Sequence, residues 1–237
     1  FKVVIYVCFF VQKTSEEHLA SLKSTSRQNP QIQETNFGNS VSCNGYAENG
    51  FNQMSQRLHH FIWEHIIRGT WQKKERPILL NSWEASYFDI SEKKLLKLAK
   101  EAKEVGIELF VMDDGWFGER MDDSSSLGDW EANTKKLPGG LKGLSDKIHG
   151  LGLQFGIWVE PEMVNPHSEL YQNHPEWAIG LPHRENRLER SQYLLDLSNP
   201  HVCRYILDAM RKLLGEHPGI SYVKWDCNRK ISDPGSP

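Results

Sequence analysis

The segment Ser221-Tyr-Val-Lys-Trp-Asp-Cys-Asn-Arg229 places a carboxylate between two polar neighbours in a strand-like run. Side chains alternate along a strand, so Lys224, Asp226 and Asn228 share one face while Trp225 and Cys227 take the other. Tyr222 and Val223 read as buried strand. A lysine beside an aspartate favours its ionised form, and an ionised carboxylate can attack an electrophilic carbon such as the anomeric carbon of a sugar. Asn228 can hydrogen-bond the same carboxylate or a substrate hydroxyl. The same residues also describe an Asp–Lys ion pair at a strand end, because structural ion pairs perturb titration as functional ones do.

Three earlier runs share this design: Ile78-Leu-Leu-Asn-Ser-Trp-Glu84, Glu108-Leu-Phe-Val-Met-Asp-Asp-Gly-Trp116 and Phe155-Gly-Ile-Trp-Val-Glu-Pro-Glu162. Each is a short apolar stretch ending in aromatic and acidic residues, and helical patterns lie between them. Strands alternating with helices predict an α/β protein with a parallel barrel, in which working groups sit at the carboxyl ends of the strands. That layout gathers Trp83, Asp113, Asp114, Trp158, Lys224 and Asp226 around one pocket. Aromatic faces stack on the C–H faces of a pyranose, and a carboxylate accepts hydrogen bonds from adjacent hydroxyls.

Paired carboxylates such as Asp113 and Asp114 also bind Mg²⁺ or Ca²⁺. Both can reach one pocket only where the strand ends and turns, as Gly115 permits. The surrounding aromatics and the lack of a phosphate loop point to sugar rather than metal. Asp129-Trp130 can form a wall of the same site or simply pack, and Asp122-Asp123-Ser-Ser-Ser126 reads as a solvated loop. Glu160 and Glu162 flank Pro161 after a strand, where either can act as an acid or support the site.

With these residues in view, the chain resembles the bacterial-type α-galactosidases of glycoside hydrolase family thirty-six. The resemblance is carried in order by Met54-Ser-Gln-Arg57, Asn81-Ser-Trp-Glu-Ala85, Asp113-Asp-Gly-Trp-Phe-Gly118, Leu127-Gly-Asp-Trp130, Lys136-Leu-Pro-Gly-Gly-Leu141, Glu160-Pro-Glu-Met163 and Lys224-Trp-Asp226. It implies a (β/α)₈ barrel and retaining hydrolysis of terminal α-galactosyl residues from oligosaccharides such as melibiose and raffinose, with no cofactor. Asp226 is then the nucleophile. Asp113 and Asp114 bind galactose hydroxyls, Trp83 and Trp158 line the sugar subsite, and Arg190 and Lys224 contact hydroxyls.

The family's acid/base is an Asp well beyond the nucleophile, preceded by a Cys- and Gly-containing loop. Neither element lies within these residues, so the expectation is an incomplete enzyme, and the initial Phe1 suggests the same. The implied organisation is a tail of an N-terminal β-sandwich over 1–50, a connecting helix over 51–74, and the first part of the barrel over 75–237. A galactosyl transferase of the raffinose-synthase kind, or a non-catalytic sugar-binding fragment, are the alternative functions.

A net charge of −3 with no basic stripe argues against a nucleic-acid partner. Cys8, Cys43, Cys203 and Cys227 have neither zinc spacing nor a disulfide framework and fit a cytoplasmic protein. The apolar Val3–Val11 run is too short to span a bilayer, and its β-branched content predicts a strand. No membrane partner is expected. The expected partner is the α-galactoside, with a homo-oligomer conceivable for the whole enzyme.

Helix signals fill the gaps. Met54, Leu58, Phe61, Ile62, His65 and Ile66 make one apolar stripe. The order of His59, His60, Glu64 and His65 fits no zinc-protease motif. Ser91 caps a helix carrying Leu95, Ala99 and Ala102, and Leu141, Leu144 and Ile148 mark a second. Asn199-Pro200 starts a third with Val202, Ile206, Met210 and Leu213. Tyr193-Leu-Leu-Asp-Leu197 reads as an extra strand or a loop.

Overall fold

The computed structural model describes residues 3–9, 32–37, 40–47, 50–67, 69–181 and 183–230. Of the polar stretch 15–49, residues 15–31, 38–39 and 48–49 lie outside the described residues. The chain divides into two compact units, Phe1–Arg76 and Pro77–Pro237.

The first unit holds β1 (Val3–Phe9), β2 (Ile32–Phe37) and β3 (Ser40–Ala47). They form an antiparallel sheet in the order β1-β3-β2, with Cys43 opposite Val7 on one side and Glu34 on the other. Helix α1 (Gly50–Phe61) follows and buries Met54 and Phe61. The helix then widens into a π-helical turn over Ile62–Ile66, closed by the Ile67 N–H on the Ile62 carbonyl at 2.9 Å. A wider turn shifts the 3.6-residue stripe, and Ile66, expected on the apolar face, is exposed.

The second unit is an α/β layer built on β4 (Leu79–Asn81), β5 (Leu109–Met112), β6 (Gln154–Val159) and β9 (Ile220–Trp225). All are parallel, in the order β4-β5-β6-β9. Parallel neighbours need long crossovers, and helices supply them. A short α2 (Trp83–Ser86) and α3 (Glu92–Glu104) lie between β4 and β5, α4 (Gly140–Gly150) between β5 and β6, and α5 (Glu169–Asn173) and α6 (Pro200–Glu216) before β9. Between β6 and β9, β7 (Met163–Val164) pairs antiparallel with β8 (Tyr193–Leu194). The Tyr193 run is therefore a small ribbon outside the main sheet.

The caps follow the sequence signals. Ser91 Oγ accepts the Lys94 N–H at α3, and Asn199 Oδ1 accepts the His201 N–H at 2.9 Å, with Pro200 in the first turn of α6. The helices bury Leu95 and Ala99 (α3), Leu141, Leu144 and Ile148 (α4), and Val202, Ile206, Met210 and Leu213 (α6) against the sheet core, and Ala102 of α3 is buried too. Strand β5 is buried along its whole length, as a central parallel strand covered on both faces must be.

At Gly156 of β6, a Cβ would come within 3.0 Å of both Val111 and Tyr222 side-chain carbons, so glycine lets the two neighbouring strands' side chains close over it. Tyr222 is nevertheless exposed and Val223 only half-buried, against the buried strand expected there. The reason is position: β9 is an edge strand of the described sheet.

Candidate active site

The carboxyl ends of β4, β5, β6 and β9 carry a connected polar network. Asp113 follows the last residue of β5 and is 3 % exposed. Its Oδ2 accepts Asn81 Nδ2 at 2.5 Å and Lys224 Nζ at 2.9 Å, and its Oδ1 accepts the Asp114 N–H at 2.9 Å. Its own N–H donates to Ser82 Oγ at 3.0 Å. Residues from β4 and β9 thus fix a carboxylate at the end of β5. Asn81 Oδ1 also accepts the Trp83 N–H at 2.8 Å, which orients the start of α2. The half-buried Trp83 indole meets Tyr87 and Phe88 edge-on, with centroids 5.2 and 5.1 Å away.

Asp226 lies one residue past β9, and its N–H continues the ladder onto the Val159 carbonyl at 2.8 Å. Trp158 Nε1 donates to Asp226 Oδ2 at 3.0 Å, and the Cys227 N–H to Oδ1 at 3.1 Å. Lys224 Nζ is 3.9 Å from the same Oδ2, so it stands between Asp113 and Asp226. Burial pushes the Asp226 carboxyl up, but the hydrogen bonds from Trp158, Asn228 and Cys227 and the Lys224 charge outweigh it and hold the group below its ordinary value. The consequence is an ionised, oriented carboxylate at a half-open position.

Asn228 adjoins it. Its N–H donates to Glu160 Oε1 at 2.5 Å, and Glu160 Oε2 accepts Gln192 Nε2 at 3.2 Å. Burial raises the Glu160 carboxyl, and the nearby Asp226 charge adds to that. Trp225 turns away from this face and donates to Glu162 at 2.9 Å.

Asp114 diverges from Asp113 where the chain turns at Gly115 (φ 103°), whose missing Cβ would press on the Phe88 backbone at 3.3 Å. Both Asp114 oxygens are taken by Arg120, with Nε at 3.0 Å and Nη2 at 2.8 Å, in a pair whose side chains are 8 % and 1 % exposed. Burial raises the Asp114 carboxyl and the guanidinium pulls it back. Arg120 lies over the Phe88 and Phe117 rings. A second buried cation, Lys136, donates to the carbonyls of Phe88, Gly115 and Arg120 at 2.7–3.0 Å, which holds the loop after β5. Neither Arg120 nor Lys136 stands out as a site residue in the sequence. A basic residue six positions past an acid pair is a weak signal, since only the loop's fold buries it.

Trp158 is almost fully buried and joins Trp116, Phe117 and Trp130 in one aromatic cluster, stacked on Phe117 at 6.2 Å with 2° between planes. Trp130 is therefore a packing residue. Asp129 accepts the N–H groups of Glu169 and Leu170, both at 3.0 Å, at the start of α5. The structure thus brings together Asp113, Trp158, Lys224, Asp226 and Asn228, with Trp83 joined through Asn81. It turns Asp114 into the Arg120 pair. Arg190 is exposed at a turn, and among the described residues no hydrogen bond ties its side chain to this network. Among the described residues no cluster of three His, Cys, Asp or Glu could hold a metal ion, and no helix is long and apolar enough to cross a membrane.

Fold and network define an α/β protein with a carboxylate-, lysine- and indole-lined site at the carboxyl ends of a parallel sheet. Residues 36–237 match the melibiase family model, and the chain belongs to that family. It is 51% identical over 191 residues to the α-galactosidase AgaA of Geobacillus stearothermophilus, covering 81% of this chain and 26% of that protein. The crystal structure of the family 36 α-galactosidase AgaB from the same organism superposes with a TM-score of 0.78 at 50% identity, covering 84% of this chain and 28% of that one. A variant of AgaA in complex with raffinose superposes equally well, with a TM-score of 0.78 at 49% identity over 84% and 28% of the two chains. The chain thus spans about a quarter of the length of the curated relative it matches.

Proposed function

We propose that the whole protein is a retaining α-galactosidase for which this chain supplies the nucleophile and much of the galactose-binding wall. The observation that carries this is Asp226, held ionised beside Lys224 and aimed by the Trp158 N–H at the open end of the sheet. Asp226 attacks the anomeric carbon as the glycosidic C–O bond breaks, forming a galactosyl ester. A second carboxyl group protonates the leaving oxygen and later takes a proton from the attacking water. The family resemblance implies that this group is an Asp well beyond the nucleophile. Asp113, held by Asn81 and Lys224, binds hydroxyls, as do Asp114, Lys224, Arg190 and Asn228. Trp83 and Trp158 border the sugar. The raffinose bound to a close relative supports an α-galactosyl oligosaccharide as substrate.

In the same reading β4, β5, β6 and β9 are the first strands of a (β/α)₈ barrel over 75–237, which their parallel order supports. The connecting segment over 51–74 is helical through α1 and the π turn that ends at Ile66, and the antiparallel strands before it belong to a β-sandwich domain. In the same proposal the protein is cytoplasmic, and a homo-oligomer is conceivable for the whole enzyme.

Hydrolysis of 4-nitrophenyl α-galactoside by the whole protein, followed by proton NMR, should show α-galactose forming before its β-anomer. The β-anomer appearing first would exclude the double displacement. The pH profile supplies a second test. Lys224→Met removes a charge that favours the ionised Asp226, so the Asp226 pKa rises and the acid limb of kcat/KM moves to higher pH. An unmoved limb would mean that another group sets it.

A further inference from the structure

The turn that carries Arg190 is unusual for its residues. Gln192 N–H donates to the Glu189 carbonyl at 3.0 Å, closing a tight reversal with Arg190 (φ 51°) and Ser191 (φ 58°) at its centre. Two successive positive φ values are the mark of a type I′ turn, which normally takes Asn-Gly or Gly-Gly. Arg and Ser pay a steric penalty there, so the surroundings must hold the turn in place. Two buried side chains do so. Glu160 accepts the Gln192 side chain at 3.2 Å, and Asn165 Nδ2 donates to the Ser191 carbonyl at 2.6 Å.

Asn165 is fully buried just past β7, and every hydrogen-bonding position of its amide is used. Besides Ser191, Nδ2 donates to the Asp123 carbonyl at 3.1 Å, while Oδ1 accepts Arg120 Nη1 and the Leu127 N–H, both at 2.9 Å. One side chain therefore joins the turn bearing Arg190 to the guanidinium that grips Asp114. An amide is required for this. An aspartate would keep both acceptor contacts but would face two carbonyl oxygens.

We propose that Asn165 is a positioning residue, fixing Arg190 for contact with the substrate by anchoring the Ser191 carbonyl. The inference rests on Arg190 being a sugar contact, as proposed above. Without the anchor the Arg-Ser turn relaxes out of the left-handed region and carries the Arg190 side chain away from its place.

The test is a double-mutant cycle in the whole protein, reading kcat/KM on 4-nitrophenyl α-galactoside for Asn165→Asp, Arg190→Ala and both together. Asn165→Asp should lower kcat/KM about tenfold or more, and Arg190→Ala by at least as much. In the Arg190→Ala background, Asn165→Asp should cost less than about threefold, because the group it positions is gone. Ser191→Gly, which adopts positive φ freely, should restore part of what Asn165→Asp loses. A loss by Asn165→Asp that persists undiminished without Arg190 overturns the positioning role alone. An Arg190→Ala enzyme with unchanged kcat/KM overturns the sugar contact, and this inference with it. If Asn165→Asp does not fold, Asn165→Ala is read by the same ratios. Failure of both to fold, even with Ser191→Gly, would make Asn165 a determinant of folding and overturn the proposal.

Discussion

Replacing Asp226 with Ala in the whole protein should lower kcat on α-galactosides by roughly 10³-fold or more, because the carboxylate proposed to form the ester intermediate is gone. Its neighbours would remain in place: Lys224 still pairs with Asp113, and Trp158 still packs in its aromatic cluster. The defect should therefore lie in chemistry rather than in folding, and the melting temperature should change little. The vacated space should admit a small anion. With azide present and a leaving group that needs no protonation, the variant should form β-galactosyl azide, since azide attacks from the face that Asp226 occupied. Full activity in the variant, or azide incorporated with the α configuration, would remove Asp226 from the mechanism.

The second large effect concerns stability. Arg120→Met should leave the Asp114 carboxylate buried and unpaired, a change that costs about 3–5 kcal/mol when one member of a buried ion pair is removed. For a unit of this size that corresponds to a fall of about 10 °C in Tm. The double variant Asp114→Asn with Arg120→Met should recover part of the loss, because no uncompensated charge then remains. A thermal melt decides it. A single variant that melts within about 2 °C of the parent would mean that the pair carries little weight in the fold.

The elements that position the site were legible because their signals are local. Ser91 and Asn199-Pro200 mark helix starts through side-chain acceptors and a fixed proline φ, and α3 and α6 begin there. The apolar runs ending at Asn81, Asp113, Glu160 and Asp226 became parallel strands whose carboxyl ends meet. What stayed hidden depends on contacts distant in sequence or on neighbours across the fold. The identity of residue 120 does not say that it is buried. The loop over 115–136, cinched by Lys136 on three carbonyls, puts it against Asp114. Nor does Asn165 stand out in sequence, although its amide ties the loop over 120–127 to the turn at Ser191. Tyr222 has a strand former's side chain, but its exposure depends on which strand lies beside β9. The π-helical turn after Phe61 breaks a stripe that the sequence pattern continues without interruption.

The most direct measurement is covalent trapping of the intermediate. The whole protein is incubated with an activated fluorinated galactosyl fluoride, which slows ester hydrolysis more than ester formation, and is followed by intact mass and peptide mapping. The expected result is one galactosyl adduct per chain, located on Asp226 and absent from Asp226→Ala. Labelling of Glu160, Glu162 or Asp113 in its place, or turnover of the reagent with inversion and no adduct, would contradict Asp226 as the nucleophile.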